Sequence, residues 1–101
     1  MSLMTRLFGE PVPSIQAAEL QKRLINGNRP FLLDVRQPEE FRSGHIPGAK
    51  LIPLGELTRR IHEVPPGREV ICICATGHRS VPAVRKLMAA GYAACAPQTM
   101  V

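Results

Sequence analysis

Val70-Ile71-Cys72-Ile73-Cys74-Ala75-Thr76-Gly77-His78-Arg79-Ser80 is the stretch that decides the fold. Its first part is apolar and β-branched, which suits a strand buried on both faces. Its second part is a short polar loop. A helical pattern then runs from Ser80 to Ala90 and is closed by Gly91. A buried strand that turns directly into a helix is half of a parallel β-α-β unit. Cys74 stands at the turn. Backbone N–H groups at a helix N-terminus lack intrahelical partners and favour negative charge. A thiolate placed there is stabilised, so the sequence predicts a lowered Cys74 pKa and a nucleophile near neutral pH. Gly77 permits a tight loop, and His78 and Arg79 add donors. Ala75, Thr76 and Ser80 complete a segment able to cradle an anion.

The same alternation extends outward. Ala17 to Ile25 has helical spacing, with Leu20 and Leu24 on one face, and Asn26-Gly27-Asn28 stops it. Phe31-Leu32-Leu33-Asp34-Val35 reads as a second buried strand. Pro38-Glu39-Glu40-Phe41 opens a short helix, with proline near its first position and acids in its first turn. Ser43 to Gly48 is a loop, Ala49 to Ile52 a short strand, Leu54 to Ile61 a second short helix, and Pro65-Pro66-Gly67 a turn. Glu69 to Ile73 and Tyr92 to Ala96 read as further strands. Strands separated by helices imply a parallel sheet with right-handed crossovers. Ligands of open α/β sheets bind beyond the carboxyl ends of the strands. Cys74 lies at one such end and Asp34-Val35-Arg36 at another. If those strands are neighbours, Asp34 and Arg36 lie beside the Cys74 loop.

Composition bounds the alternatives. The 101 residues suffice for one domain with a modest core, which is aliphatic because there is no Trp, one Tyr and three Phe. The net charge of +5 is spread along the chain without a Lys/Arg block, which sets nucleic acid aside and favours small anions. The apolar runs are too short to span a membrane, and no charged segment leads into an apolar one at the start. Three cysteines without a secretion signal point to a reducing compartment, the cytoplasm by default.

Each singled-out residue has a plainer reading. Cys74 as an inert core cysteine is disfavoured by the loop that follows it, whereas core filling suits Cys72 and Cys95. Cys72, Cys74 and His78 do not form a usual zinc spacing, so no metal is expected. Arg at a helix start opposes the dipole. Arg79 therefore calls for a nearby anion, or an ion pair with Asp34 or Glu40. Asp34 and Arg36 are either a scaffold pair or direct substrate contacts. His45 reads as a structural loop residue, and Arg59-Arg60 as a solvated helix face.

Taken in order, Leu33-Asp34-Val35-Arg36, Pro38-Glu39-Glu40-Phe41, Gly44-His45-Ile46-Pro47-Gly48-Ala49, the Cys74 to Ser80 loop, and Leu87 with Gly91-Tyr92 resemble the rhodanese (thiosulfate sulfurtransferase-like) superfamily in its single-domain form. The resemblance implies a three-layer α/β/α fold around a mostly parallel sheet. It also implies a persulfide on Cys74, formed from thiosulfate or a similar small anionic donor. Loop N–H groups from Ala75 to Arg79 would hold the anionic sulfur. A thiol acceptor such as thioredoxin, glutathione or a sulfur-carrier protein would then take it, with no cofactor. Cysteine phosphatases use a Cys-x5-Arg loop. Here four residues separate Cys74 from Arg79, which disfavours phosphatase or arsenate reductase chemistry. A non-catalytic binding or redox-sensing module is the alternative.

The resemblance has gaps. Leu51 stands where relatives commonly have Asn, and the usual final Gly-Gly turn and Trp-bearing helix are not found before Val101. Residues 1–12 are expected to be irregular and 13–101 to form the domain. The missing helix predicts exposed apolar surface, open to a partner chain, to a second copy in a homodimer, or to the N-terminal segment.

Overall fold

A computed structural model describes residues 12–27, 29–74 and 79–97. Strand β1 (Ser14–Ile15) leads to helix α1 (Ala17–Ile25) and β2 (Phe31–Asp34). Helix α2 (Pro38–Ser43) and β3 (Lys50–Leu51) follow. Two 3-10 turns (Leu54–Glu56 and Ile61–Glu63) then flank the short helix α3 (Leu57–Arg60). Strand β4 (Val70–Ile73), helix α4 (Ser80–Ala89) and β5 (Ala94–Pro97) close the described chain. The strands order as β1-β5-β4-β2-β3, and every described pairing is parallel.

The sheet divides the core in two because alternate strand residues face opposite sides. Leu33, Val70, Cys72, Ala94 and Ala96 face α3 and α4, meeting Leu57, Ala83, Val84 and Leu87. Leu32, Ile71 and Cys95 face α1 through Leu20 and Leu24, with Ile46 and Ala49 at the margin. The expected three layers are therefore present. On the α1 side, Ile15 and Ile73 are only half-buried. The large apolar side chains exposed among the described residues are Ile25 and, at about half its surface, Met88.

Several boundaries differ from the sequence reading. The expected helix from Leu54 to Ile61 is broken into 3-10, α and 3-10 turns: Leu54 N is drawn to Val35 O, just beyond β2, and the next turn closes with a tight bond from Glu56 N to Pro53 O. The strand expected over Tyr92 to Ala96 begins at Ala94, since Tyr92 still belongs to the end of α4. There Tyr92 N donates to Leu87 O across Gly91, whose φ of 94° glycine adopts without strain. Arg60 is not simply solvated. It binds Glu56 and Glu63 at 2.8–3.0 Å.

Glu63 is held at a pKa of about 2 by Arg60 and then Lys50, below its usual 4.5. A lowered carboxyl pKa stabilises the fold above the unfolded value, and that contribution is lost as pH falls through the folded value. Urea midpoints should therefore fall between about pH 5 and about pH 3, with a shallower fall in Glu63→Gln. Equal slopes in the two proteins would refute this role for Glu63.

Candidate active site

The chain leaves β2 toward β3 on one side and leaves β4 toward β5 on the other. The carboxyl ends of β2 and β4 therefore border the point where strand order reverses, which is where open α/β sheets bind ligands. Both sequence-selected segments end there. Asp34 and Ile73 are register partners, and Val35 N donates to Ile73 O at 3.1 Å. Arg36 and Cys74 are the residues that emerge next.

Cys74 is half-buried and packs at the rim of the larger core, on the same face as Cys72. Its Sγ accepts a hydrogen bond from Arg79 N at 3.4 Å. Arg79 is the N-cap residue of α4. The sulfur thus lies against the positive end of a ten-residue helix, as the sequence predicts. Ser80 begins that helix and is buried. Ala75, Thr76, Gly77 and His78 lie outside the described residues.

The two arginines of the site are each held by a carboxylate. Asp34 is fully buried. It accepts from Arg36 N at 3.1 Å, from Nε at 2.9 and 3.1 Å, and from Nη2 at 2.8 Å. Arg36 Nη2 also donates to Gly44 O at 2.8 Å, tying the end of α2 to β2. This is the geometry of a scaffold pair. The Arg79 guanidinium grips Glu40 with two bonds, Nη1–Oε1 at 2.7 Å and Nη2–Oε2 at 2.8 Å. Of the two acids that sequence offers to Arg79, the fold selects Glu40, because Asp34 is already occupied by Arg36.

Glu40 is the site residue that sequence reasoning left unranked. It is the third residue of α2, and its Oε1 also accepts from Gln37 N at 3.0 Å in a capping box. Arg79 and then the Gln37 N–H hold its carboxyl at a pKa of about 2. Arg79 is raised in turn, first by Glu40 and also by contact with Cys74. The signals in the sequence were the pair of acids after Pro38 and an arginine at the helix start that calls for a counter-charge. His45, as expected, is a loop brace: its Nδ1 donates to Phe41 O at 2.8 Å and its ring stacks on Phe41.

The other thiols differ from Cys74. Burial pushes Cys72 up to about 12, and burial also raises Cys95, on the opposite face of the sheet. All three cysteines are outside disulfides. Among the described residues no group of three or more His, Cys, Asp or Glu is placed to hold a metal ion, and no helix is long and apolar enough to cross a membrane. His78, the third member of the zinc set weighed from sequence, lies outside those residues.

Comparison with known proteins bears on this geometry. The rhodanese-like domain profile matches residues 16–96. A sulfurtransferase of Allochromatium vinosum is 36% identical over 81 residues, covering 80% of this chain and 76% of that protein. Thiosulfate sulfurtransferase 18 of Arabidopsis thaliana is 30% identical over 105 residues, covering 90% and 76%. Among solved structures, a rhodanese-related protein from Thermoplasma volcanium superposes with a TM-score of 0.79 at 31% identity, covering 85% of this chain and 83% of that one. Several curated relatives are longer, and the chain spans less than half of their length.

Proposed function

Because the chain belongs to the rhodanese-like domain family, we propose that it is a sulfurtransferase that carries a sulfane sulfur on Cys74 from a sulfane-sulfur donor, thiosulfate or a perthiol, to a thiol acceptor. The observation that carries this reading is the Cys74 Sγ held by Arg79 N at the start of α4. A thiolate there is stabilised by the helix terminus and needs no separate general base. It attacks the outer sulfur of the donor, and the donor's remaining atoms leave with the bonding electron pair. The sulfur stays on Cys74 as a persulfide, stabilised by the same N–H groups that favour the thiolate. A second thiolate attacks that outer sulfur and regenerates Cys74, a double displacement. Asp34 and Arg36 serve as scaffold in this scheme.

Intact mass after incubation with thiosulfate tests the reading. The expected result is a gain of one sulfur atom that is lost on adding cyanide. A folded protein that gains no sulfur from thiosulfate or from a perthiol would leave the binding or redox-sensing module as the better reading. One longer relative that shares this domain, from Mycobacterium tuberculosis, is described as a transcriptional regulator of the HTH type.

A further inference from the structure

Cationic side chains that flank a nucleophile ordinarily select for anionic substrates. Among the described residues, the two guanidiniums beside Cys74 are each paired with a carboxylate. Arg36 faces the buried Asp34 carboxylate, and Arg79 faces Glu40 through two short bonds. Glu40 is fixed by the Gln37 N–H at the start of α2, so it is not a loosely tethered surface acid. The four groups share one field: Arg36 and Arg79 each act on Glu40, and Arg79 on Arg36. Two positive and two negative charges sum to zero. Elsewhere among the described residues, Arg29 donates to Pro47 O and Arg68 to Arg29 O, but these guanidiniums sit at the amino end of β2, away from Cys74.

We infer that Glu40 determines donor specificity: by neutralising Arg79 it turns the site away from dianionic donors and toward alkyl or protein perthiols, R–S–SH. This inference rests on the persulfide chemistry proposed above and names the donor class for that same site.

The charge count of the reaction gives the reason. With thiosulfate, the Cys74 thiolate bonds to the outer sulfur, the bond to the sulfonate sulfur breaks, and sulfite leaves with the electron pair. One thiolate and one dianion pass through a state of three negative charges. With a perthiol in its protonated form, the same thiolate bonds to the outer sulfur and RS⁻ leaves with the pair. The products are the Cys74 perthiol and a thiolate, and the reacting atoms carry one negative charge throughout. The N–H groups at a helix terminus represent roughly half a positive charge. That matches a single negative charge far better than three when the nearby guanidiniums are cancelled.

The test compares loading of Cys74 by thiosulfate and by 2-hydroxyethyl perthiol, a donor without carboxylates, read as second-order rate constants from intact mass. Glu40→Gln keeps the shape of the side chain and an acceptor for Gln37 N, but leaves Arg79 without its counter-charge. Its thiosulfate constant should rise about ten-fold, with a steeper fall in added salt. Its 2-hydroxyethyl perthiol constant should change much less. Inhibition by sulfite should tighten in parallel. The double variant Glu40→Gln with Arg79→Gln restores the neutral sum and should return thiosulfate loading toward that of the wild type. Matched changes for both donors, or no rise with thiosulfate, would overturn the specificity role while leaving the sulfurtransferase reading intact. A wild-type protein loaded by neither donor would overturn both.

Discussion

Cys74→Ser is expected to abolish sulfur transfer, by about three orders of magnitude or more, while Cys95→Ser leaves it within a few-fold. A serine hydroxyl is far more basic than a thiol and carries no sulfur to form a persulfide, so the variant loses the intermediate itself. Cys95 lies in the smaller core beside Leu20, Leu32 and Ile71, on the far face of the sheet from Cys74. Burial raises its pKa, and nothing in the proposed reaction passes through it. Cys72 is the sharper control, because it shares a face with Cys74 and lies two residues away. It is wholly buried, and its pKa of about 12 keeps it protonated at neutral pH. Alkylation by iodoacetamide near pH 7 should therefore label Cys74 first, with Cys72 and Cys95 reacting only on unfolding. Peptide mapping of the label reads this directly. Equal loss of activity in Cys74→Ser and Cys95→Ser would sink the assignment.

The sequence carried the central unit because local signals agreed with one another. Val70 to Ile73 is β-branched and short, Gly77 and the polar loop break it, and Val81 to Leu87 has helical spacing. The site followed from that unit, since the end of a buried strand before a helix is a defined place. β1 was not legible. Ser14–Ile15 has only two residues, and it is a strand solely because Ala96 and Pro97 lie alongside, with Ala96 N donating to Pro13 O. No local pattern encodes a pairing more than eighty residues away. The partner of Arg79 was ambiguous for the same reason. Asp34 and Glu40 both reach this end of the sheet, and the choice depends on Arg36 folding back onto Asp34, a contact two residues apart in sequence that spacing alone does not require.

That contact yields the largest stability effect expected of a single change. Asp34 is fully buried, and its oxygens take both the backbone N–H and the guanidinium of Arg36. The Arg36 side chain is itself only 15% exposed. Asp34→Ala leaves that half-buried guanidinium without its carboxylate, its bond to Gly44 O remaining. Removing one member of a fully buried pair destabilises by about 3–5 kcal/mol, and with Arg36 half-buried the loss should sit at the lower end of that range, still a sizeable part of the roughly 5–15 kcal/mol that holds a domain of this size together. The urea midpoint should drop accordingly with the slope unchanged. The double variant Asp34→Ala with Arg36→Met removes both charges and keeps an aliphatic stem in place. It should recover much of the loss, because the desolvation penalty of the pair disappears with it. The series also separates the two roles weighed from sequence. A scaffold pair predicts that stability falls in Asp34→Ala and returns in the double variant, with donor KM following the folded fraction. A direct substrate role predicts that KM rises in both variants while the urea midpoint of Asp34→Ala stays put. The first outcome is expected, because both carboxylate oxygens of Asp34 point at Arg36, and Arg36 in turn secures the end of α2, the helix that carries Glu40 to Arg79.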